Sequence, residues 1–269
     1  MKKFTMSLGA EMDPLDHYPT PVEATGVRSC KLMSPTEYPL WLCVTELDPG
    51  ATLRWAGDRG DEGIYVLEGE VEVGGQRCGP EGAVIVESGV HAELTSPGPS
   101  RIVHCGSWDP NPPADGLFGA PEAHGHGVHV VGARGWFTSG AVDGVQATWY
   151  ADSTCPTCRI ALFKVARTVE GEKGGRPHIH TADEIIYILG GSMRFGSYEL
   201  GPDSAICIPG NVRYAQWAGQ NGCTFLNFRR DTSEQLYFER DKETVPLLEG
   251  AIARGGSEVG DVVHLVATG

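Results

Sequence analysis

Along much of this chain apolar and polar residues alternate with a period of two. The pattern is plain in IYVLEGEVEVGG from Ile64, AVIVE from Ala83, IIYILGGSMRFG from Ile185, AICIP from Ala205 and CTFLNFR from Cys223. Alternation of this kind, cut every few residues by Gly or Pro, predicts short strands with one buried face, stacked as a sandwich or barrel. One stretch departs from it. SEQLYFERDKETVPLLEGAIA, residues 233–253, spaces its apolar residues as a helix would. Residues 108–131, rich in Pro, Gly and Ala, read as a linker.

The pattern occurs twice. DEGIYVLEG from Asp61 and DEIIYILGG from Asp183 agree at six of nine positions, an offset of 183 − 61 = 122. Gly79-Pro80 and Gly201-Pro202 keep that offset, followed by EGAVIVESGV and DSAICIPGNV. A register held over about thirty residues implies two copies of one β-rich unit.

Composition narrows the function. A length of 269 residues is ample for a buried core. The net charge of −14 argues against partners recognised by negative charge, so neither nucleic acid nor an anionic membrane is expected. No apolar run reaches the ~18–20 residues of a membrane span. The first residues lack a signal-peptide apolar core, so a cytoplasmic location is expected. The eight cysteines are scattered, several within apolar runs, and read as buried thiols.

The second copy contains RPHIHTADEIIYILGG, residues 176–191. On a strand His178 and His180 project to one side, and Glu184 follows at even spacing. A polar strand end facing water would account for these residues. So would three ligands aimed at one divalent transition metal, with open positions left for substrate.

PHIHTADEIIYILGG resembles the first signature of the cupin superfamily: His-x-His, three residues, Glu, six residues, Gly. LGPDSAICIPGNVRY resembles the second. The resemblance covers roughly residues 35–110 and 145–232. It implies an all-β bicupin of two jelly-roll β-barrels in tandem with few short helices. The expected divisions are an N-terminal extension (1–34), a first barrel (35–118), a linker (119–144), a second barrel (145–232) and a C-terminal helix and strand tail (233–269). The resemblance assigns His178, His180 and Glu184 to a metal. Where the family usually has a fourth histidine this chain has Tyr214, with Gln216 two residues on. Either oxygen is a candidate fourth ligand, and Tyr214 is alternatively a hydrogen-bond donor or proton shuttle.

Transferred to the first copy by the offset, His178, His180 and Tyr214 become Ala56, Asp58 and Ala92, and Glu62 alone survives. The first barrel is therefore expected to lack a metal site and to act as a structural partner.

An open His₂Glu site suits Fe(II), with Mn, Ni, Co or Zn as alternatives. The leading expectation is a dioxygenase cleaving a C–C bond of a small enolisable or phenolic substrate. Tyr187 or Tyr214 would hydrogen-bond the developing oxyanion, and Arg176, Arg194 or Arg213 would hold a substrate carboxylate. Trp217, Phe195, Phe225 and Phe163 would line an apolar pocket. A non-oxidative isomerase, lyase or hydrolase, with Glu184 as ligand or general base, is the second expectation. A non-catalytic binder of a small molecule is the third. A homodimer is a family expectation. CPTC (155–158) and the histidines of HGHGVH (124–129) offer a further zinc or redox site if they meet in space.

Overall fold

The structure is a computed structural model. It describes residues 3–12, 18, 22–58, 61–109, 127–139, 144–152, 160–168, 177–230, 234–237, 244–246 and 257–266. The described residues contain twenty-two strands and no helix.

In the first half lie β1 (Thr5–Ser7), β2 (Glu23–Leu32), β3 (Leu40–Ala56), β4 (Glu62–Glu68), β5 (Val71–Val73), β6 (Gln76–Cys78), β7 (Ala83–Val86), β8 (His91–Thr95) and β9 (Ser100–Ser107). Next come β10 (Gly127–Val131), β11 (Phe137–Ser139), β12 (Val145–Asp152), β13 (Ala161–Arg167), β14 (His178–His180) and β15 (Glu184–Phe195). The chain continues through β16 (Tyr198–Leu200), β17 (Ala205–Ile208), β18 (Gln216–Arg229), β19 (Glu234–Tyr237), β20 (Thr244–Pro246), β21 (Ser257–Val259) and β22 (Val262–Val266).

They form two large antiparallel sheets, one per copy of the repeat. The first runs β22-β10-β7-β4-β9-β3-β8-β5-β6 with β2 beside β3, and the second runs β1-β17-β15-β18-β13-β12-β11-β21 with β16 beside β15. A small third sheet joins β14, β19 and β20. The ends of the chain cross over. β1 pairs with β17 of the second sheet, and β22 pairs with β10 of the first.

Period-two alternation explains the burial. On β15, Ile186 and Ile188 enter the core of the second barrel, while Ile185 and Tyr187 enter a shared core between the barrels. That shared core packs Leu42, Val44 and Val103 of the first barrel against Leu162, Leu226 and Phe228 of the second. Ion pairs also join the two halves, Arg101 with Asp203 at 2.9 Å, Lys164 with Glu81 at 2.7 Å and Arg230 with Asp109 at 2.8 Å.

The repeat also shows in backbone geometry. Gly69 and Gly191, 122 apart, have φ of +76° and +68°. A Cβ would lie 2.3 Å from the Pro99 carbonyl oxygen at Gly69 and 2.2 Å from that of Gly222 at Gly191, so only glycine fits either bend.

The helix expected over 233–253 is not formed where the structure describes that stretch. Residues 234–237 and 244–246 are strands, with His178 opposite Tyr237 in the β14–β19 register. Backbone pairing with β14 overrides the helical spacing. No helix among the described residues is long and apolar enough to cross a membrane. Cys30, Cys43, Cys78, Cys105, Cys207 and Cys223 are buried free thiols, as expected, and Cys155 and Cys158 lie outside the described residues.

Candidate metal centre

The DE pair of each repeat divides its work. Asp183 Oδ1 accepts the backbone N–H of Gly210 at 2.7 Å, and Asp61 Oδ1 accepts that of Ser88 at 2.6 Å. The aspartates thus fix the turn after β17 and β7. The glutamates that follow, Glu184 and Glu62, are fully buried within their barrels.

Glu184 opens β15 and its backbone is held from the other barrel. The Tyr38 hydroxyl accepts the Glu184 N–H at 3.1 Å and lies 2.9 Å from both the Glu184 and Ile208 carbonyl oxygens. Glu184 faces Ile208 across the β15–β17 ladder, so the phenol stands at the end of that ladder.

Around the Glu184 carboxylate the second barrel gathers a polar cluster. Oε1 accepts a hydrogen bond from the Tyr214 hydroxyl. Oε2 accepts from Asn227 Nδ2 at 2.6 Å and from Arg229 Nη2 at 2.7 Å. His180 Nε2 lies 3.9 Å from Oε1. His178 and His180 are buried with ring centroids 4.9 Å apart, and the His178 ring is 4.4 Å from that of Tyr214. Backbone hydrogen bonds exchanged between His178 and Tyr214, at 2.9 and 3.0 Å, tie these two positions together.

Arg229 is only 2% exposed. Its Nε donates to Asn227 Oδ1 at 2.9 Å, and its guanidinium carbon lies 5.5 Å from the Phe163 ring centre. Nη1 and Nη2 each stand 3.1 Å from the Nδ1 and Nε2 of His180 respectively. The in-plane lone pairs of an imidazole diverge. One guanidinium therefore reaches both nitrogens by lying alongside the ring.

Charge in this cluster follows from burial and partners. Burial alone would raise the Glu184 pKa. The Arg229 charge, then His180 and the hydrogen bonds from Asn227 and Tyr214, outweigh it and hold the carboxyl at about 2. Burial and then the Glu184 charge push the Tyr214 phenol well above its usual range. The cluster therefore contains an ionised carboxylate and a protonated phenol at neutral pH.

The expected residues fall into two sets. His178, His180, Glu184 and Tyr214 come together. Gln216 is buried, and its Oε1 has no hydrogen-bond partner among the described residues. Phe195 stacks on Tyr214 at 5.5 Å, and Phe163 and Phe225 share its core. Tyr187, Arg194 and Trp217 lie elsewhere. Tyr187 faces the shared core, its hydroxyl on Asp203, because odd positions of β15 point away from the barrel interior. Arg194 is exposed and packs over Trp217 at 5.2 Å, its cross-strand neighbour. Arg213 is exposed, and Arg176 lies outside the described residues. Neither Tyr187 nor the Arg194–Trp217 pair is brought to the cluster.

Asn227 and Arg229 were not anticipated. Their signal was present in CTFLNFR, where polar residues occupy inward alternate positions of an apolar strand.

The donor set fits a divalent metal in kind. Two buried imidazoles and an ionised carboxylate are the chemistry such an ion takes. As placed, no three His, Cys, Asp or Glu side chains among the described residues gather around one point. With Oε2 engaged by Asn227 and Arg229, Oε1 is the oxygen that would serve as ligand, and the other two groups are its outer partners.

In the first barrel Glu62 accepts from Trp55 Nε1 at 2.7 Å and contacts His104 Nε2 at 2.9 Å. Tyr18 closes over His104, 2.9 Å from its Nδ1. His91 is exposed.

No family model matches the chain, and no curated protein matches it. Solved structures do. Coconut allergen cocosin superposes with a TM-score of 0.62 at 11% identity, covering 88% of each chain. Protein YlbA of E. coli gives 0.60 at 11%, covering 89% of this chain and 93% of that one. A variant of Bacillus subtilis oxalate decarboxylase gives 0.56 at 13%, covering 90% and 80%. The solved structures that share this fold thus include an oxalate decarboxylase and, in pumpkin, a seed globulin. The chain has the all-β, two-barrel cupin fold.

Proposed function

We propose that the chain is a metal-dependent enzyme acting on a small molecule in its second barrel, as an Fe(II) dioxygenase of an enolisable or phenolic substrate. The observation that carries this reading is the combination of His178, His180 and ionised Glu184 with a tyrosine kept protonated. A neutral phenol is a poor ligand, so the protein offers three strong donors and leaves positions open, the pattern of non-haem iron oxygenases. Fe(II) bound there would supply adjacent positions for a substrate oxygen and O₂.

The chain's own residues have separate tasks. Arg229 and Asn227 keep the Glu184 carboxylate ionised and oriented. Tyr214 holds a proton at Oη beside Glu184 and would donate it toward a developing oxyanion. Phe195, stacked on Tyr214, fixes that ring and helps exclude water.

The same observations support a second reading without oxygen. A buried phenol on an ionised carboxylate is also a proton-holding arrangement suited to an isomerase or lyase. Metal content of wild type and His178→Ala, measured on untagged protein, tests both. About one transition metal per chain in the second barrel, lost in the variant, is expected, and full metal retention by His178→Ala would refute the assignment. Iron-dependent turnover that stops under nitrogen supports the oxygenase, and turnover indifferent to oxygen supports the lyase. Ligand-dependent melting without turnover would leave a binding protein.

A further inference from the structure

A second group of chemistry-bearing side chains lies outside the second barrel, at the edge of the first sheet. His129 on β10 stands directly opposite His264 on β22 in an antiparallel pair. Directly opposed positions put both side chains on one face, with Cβ atoms about 4.5–5.5 Å apart. The two Nδ1 atoms are 2.6 Å apart, and the ring centres 4.8 Å apart at 79°.

The other nitrogen of His129 is also engaged. Nε2 lies 2.8 Å from Glu87 Oε1. Glu87 is 1% exposed, and its Oε2 accepts the Gly127 N–H at 2.6 Å. With Nε2–H on the carboxylate, His129 presents a lone pair at Nδ1. The Nδ1 of His264 meets it at a distance that leaves room for a single shared proton.

We infer that His129 and His264 form a binding site for a divalent cation of the zinc, nickel or copper type. The cation takes the place of that shared proton, and His264 then carries its one proton at Nε2, so both rings bind as neutral imidazoles. Glu87 is the outer carboxylate that fixes the His129 tautomer and raises its basicity, the usual support of a metal-bound imidazole. Bonds of ~2.0–2.1 Å to each nitrogen require the two Nδ1 atoms to part slightly. His264 is exposed on an edge strand and can yield that distance. Water completes the coordination.

The site joins distant parts of the chain. β22 belongs to the segment whose preceding strand, β21, pairs with β11 in the second sheet. A cation at His129 and His264 clips that segment to the first sheet. The histidine of HGHGVH that the structure describes thus finds its partner near the C-terminus, in His264 on β22.

Zinc uptake by the full chain tests this, read by equilibrium dialysis and by melting. In a His178→Ala background, which removes a donor from the second barrel, one zinc per chain and a raised melting temperature are expected. Adding His264→Ala should abolish both, and Glu87→Gln should weaken binding about 10- to 100-fold. Equal zinc uptake with and without His264, or no uptake by the His178→Ala chain, overturns the proposal. The same difference of one zinc is read between wild type and His264→Ala, which does not require the barrel variant to fold. Loss of metal in His178→Ala with retention of the His264-dependent zinc separates this site from the proposed active centre.

Discussion

The two barrels keep one buried glutamate each and treat it differently. Registers along the strands make His104 the counterpart of Asn227, and Gly106 that of Arg229. On the adjoining strand Trp41 faces Gly106, whereas Ala161 faces Arg229. The volumes are exchanged. In the first barrel a large indole fills the space, and a Cβ on Gly106 would lie 2.4 Å from Trp41 Cζ2 and 3.0 Å from Glu62 Cγ. In the second barrel a small alanine leaves room for a guanidinium. A paired change of size at two facing positions thus separates a barrel filled by an indole from one with a buried guanidinium on its glutamate.

The largest expected effect comes from removing the guanidinium. Arg229→Met leaves Glu184 buried without its cation and should cost about 3–5 kcal/mol in chemical denaturation at neutral pH. A loss near zero would mean that the ion pair is not what distinguishes the second barrel. Gly106→Arg should destabilise the first barrel by about 1–3 kcal/mol or more through overpacking. Trp41→Ala combined with Gly106→Arg should recover part of that loss, and strict additivity of the two changes would break the volume argument.

Tyr38→Phe should cost about 1–3 kcal/mol, because a buried N–H and two carbonyls lose their shared hydroxyl. Since that hydroxyl holds the Glu184 backbone, the variant should also retain metal less well. Unchanged retention would show that this hydroxyl does not position Glu184 for a metal.

Acid should act through Glu184. Its folded pKa of about 2 lies below the ordinary value of 4.5, so the carboxylate adds stability above pH ~4.5. That contribution is lost as pH falls from there toward 2. Glu184→Gln should flatten this part of a pH–stability curve measured without added metal, whereas an unaltered curve would place the acid sensitivity elsewhere.

The smallest effect is expected at Tyr187. Its hydroxyl meets Asp203 in the shared core, so Tyr187→Phe should cost about 0.5–1.5 kcal/mol and leave metal content unchanged.

Much of this was legible in the sequence. Period-two alternation and the 122-residue offset carried the all-β fold and its duplication, because strand periodicity is a local property of the backbone. His178 and His180 were legible as a pair, because their spacing puts them on one face of a strand, and Glu184, which opens the next strand, was joined to them by the resemblance. Tyr187 was misplaced for the same kind of reason. A position three residues from Glu184 lies on the opposite face of the strand, and its aromatic hydroxyl suggested a chemistry that its parity forbids.

What the sequence determined by itself was therefore which residues alternate, repeat and share a face. Tertiary structure decided which strands become neighbours. Strand pairing set β18 beside β15 and brought Arg229 to Glu184 across 45 residues of chain. It laid β22 on β10 and brought His264 to His129 across 135. It also drew 234–237 into a strand against β14 despite a helical spacing. Periodicity is fixed by the geometry of each residue, but contacts between distant strands depend on how the sheets close, and no local pattern encodes that closure.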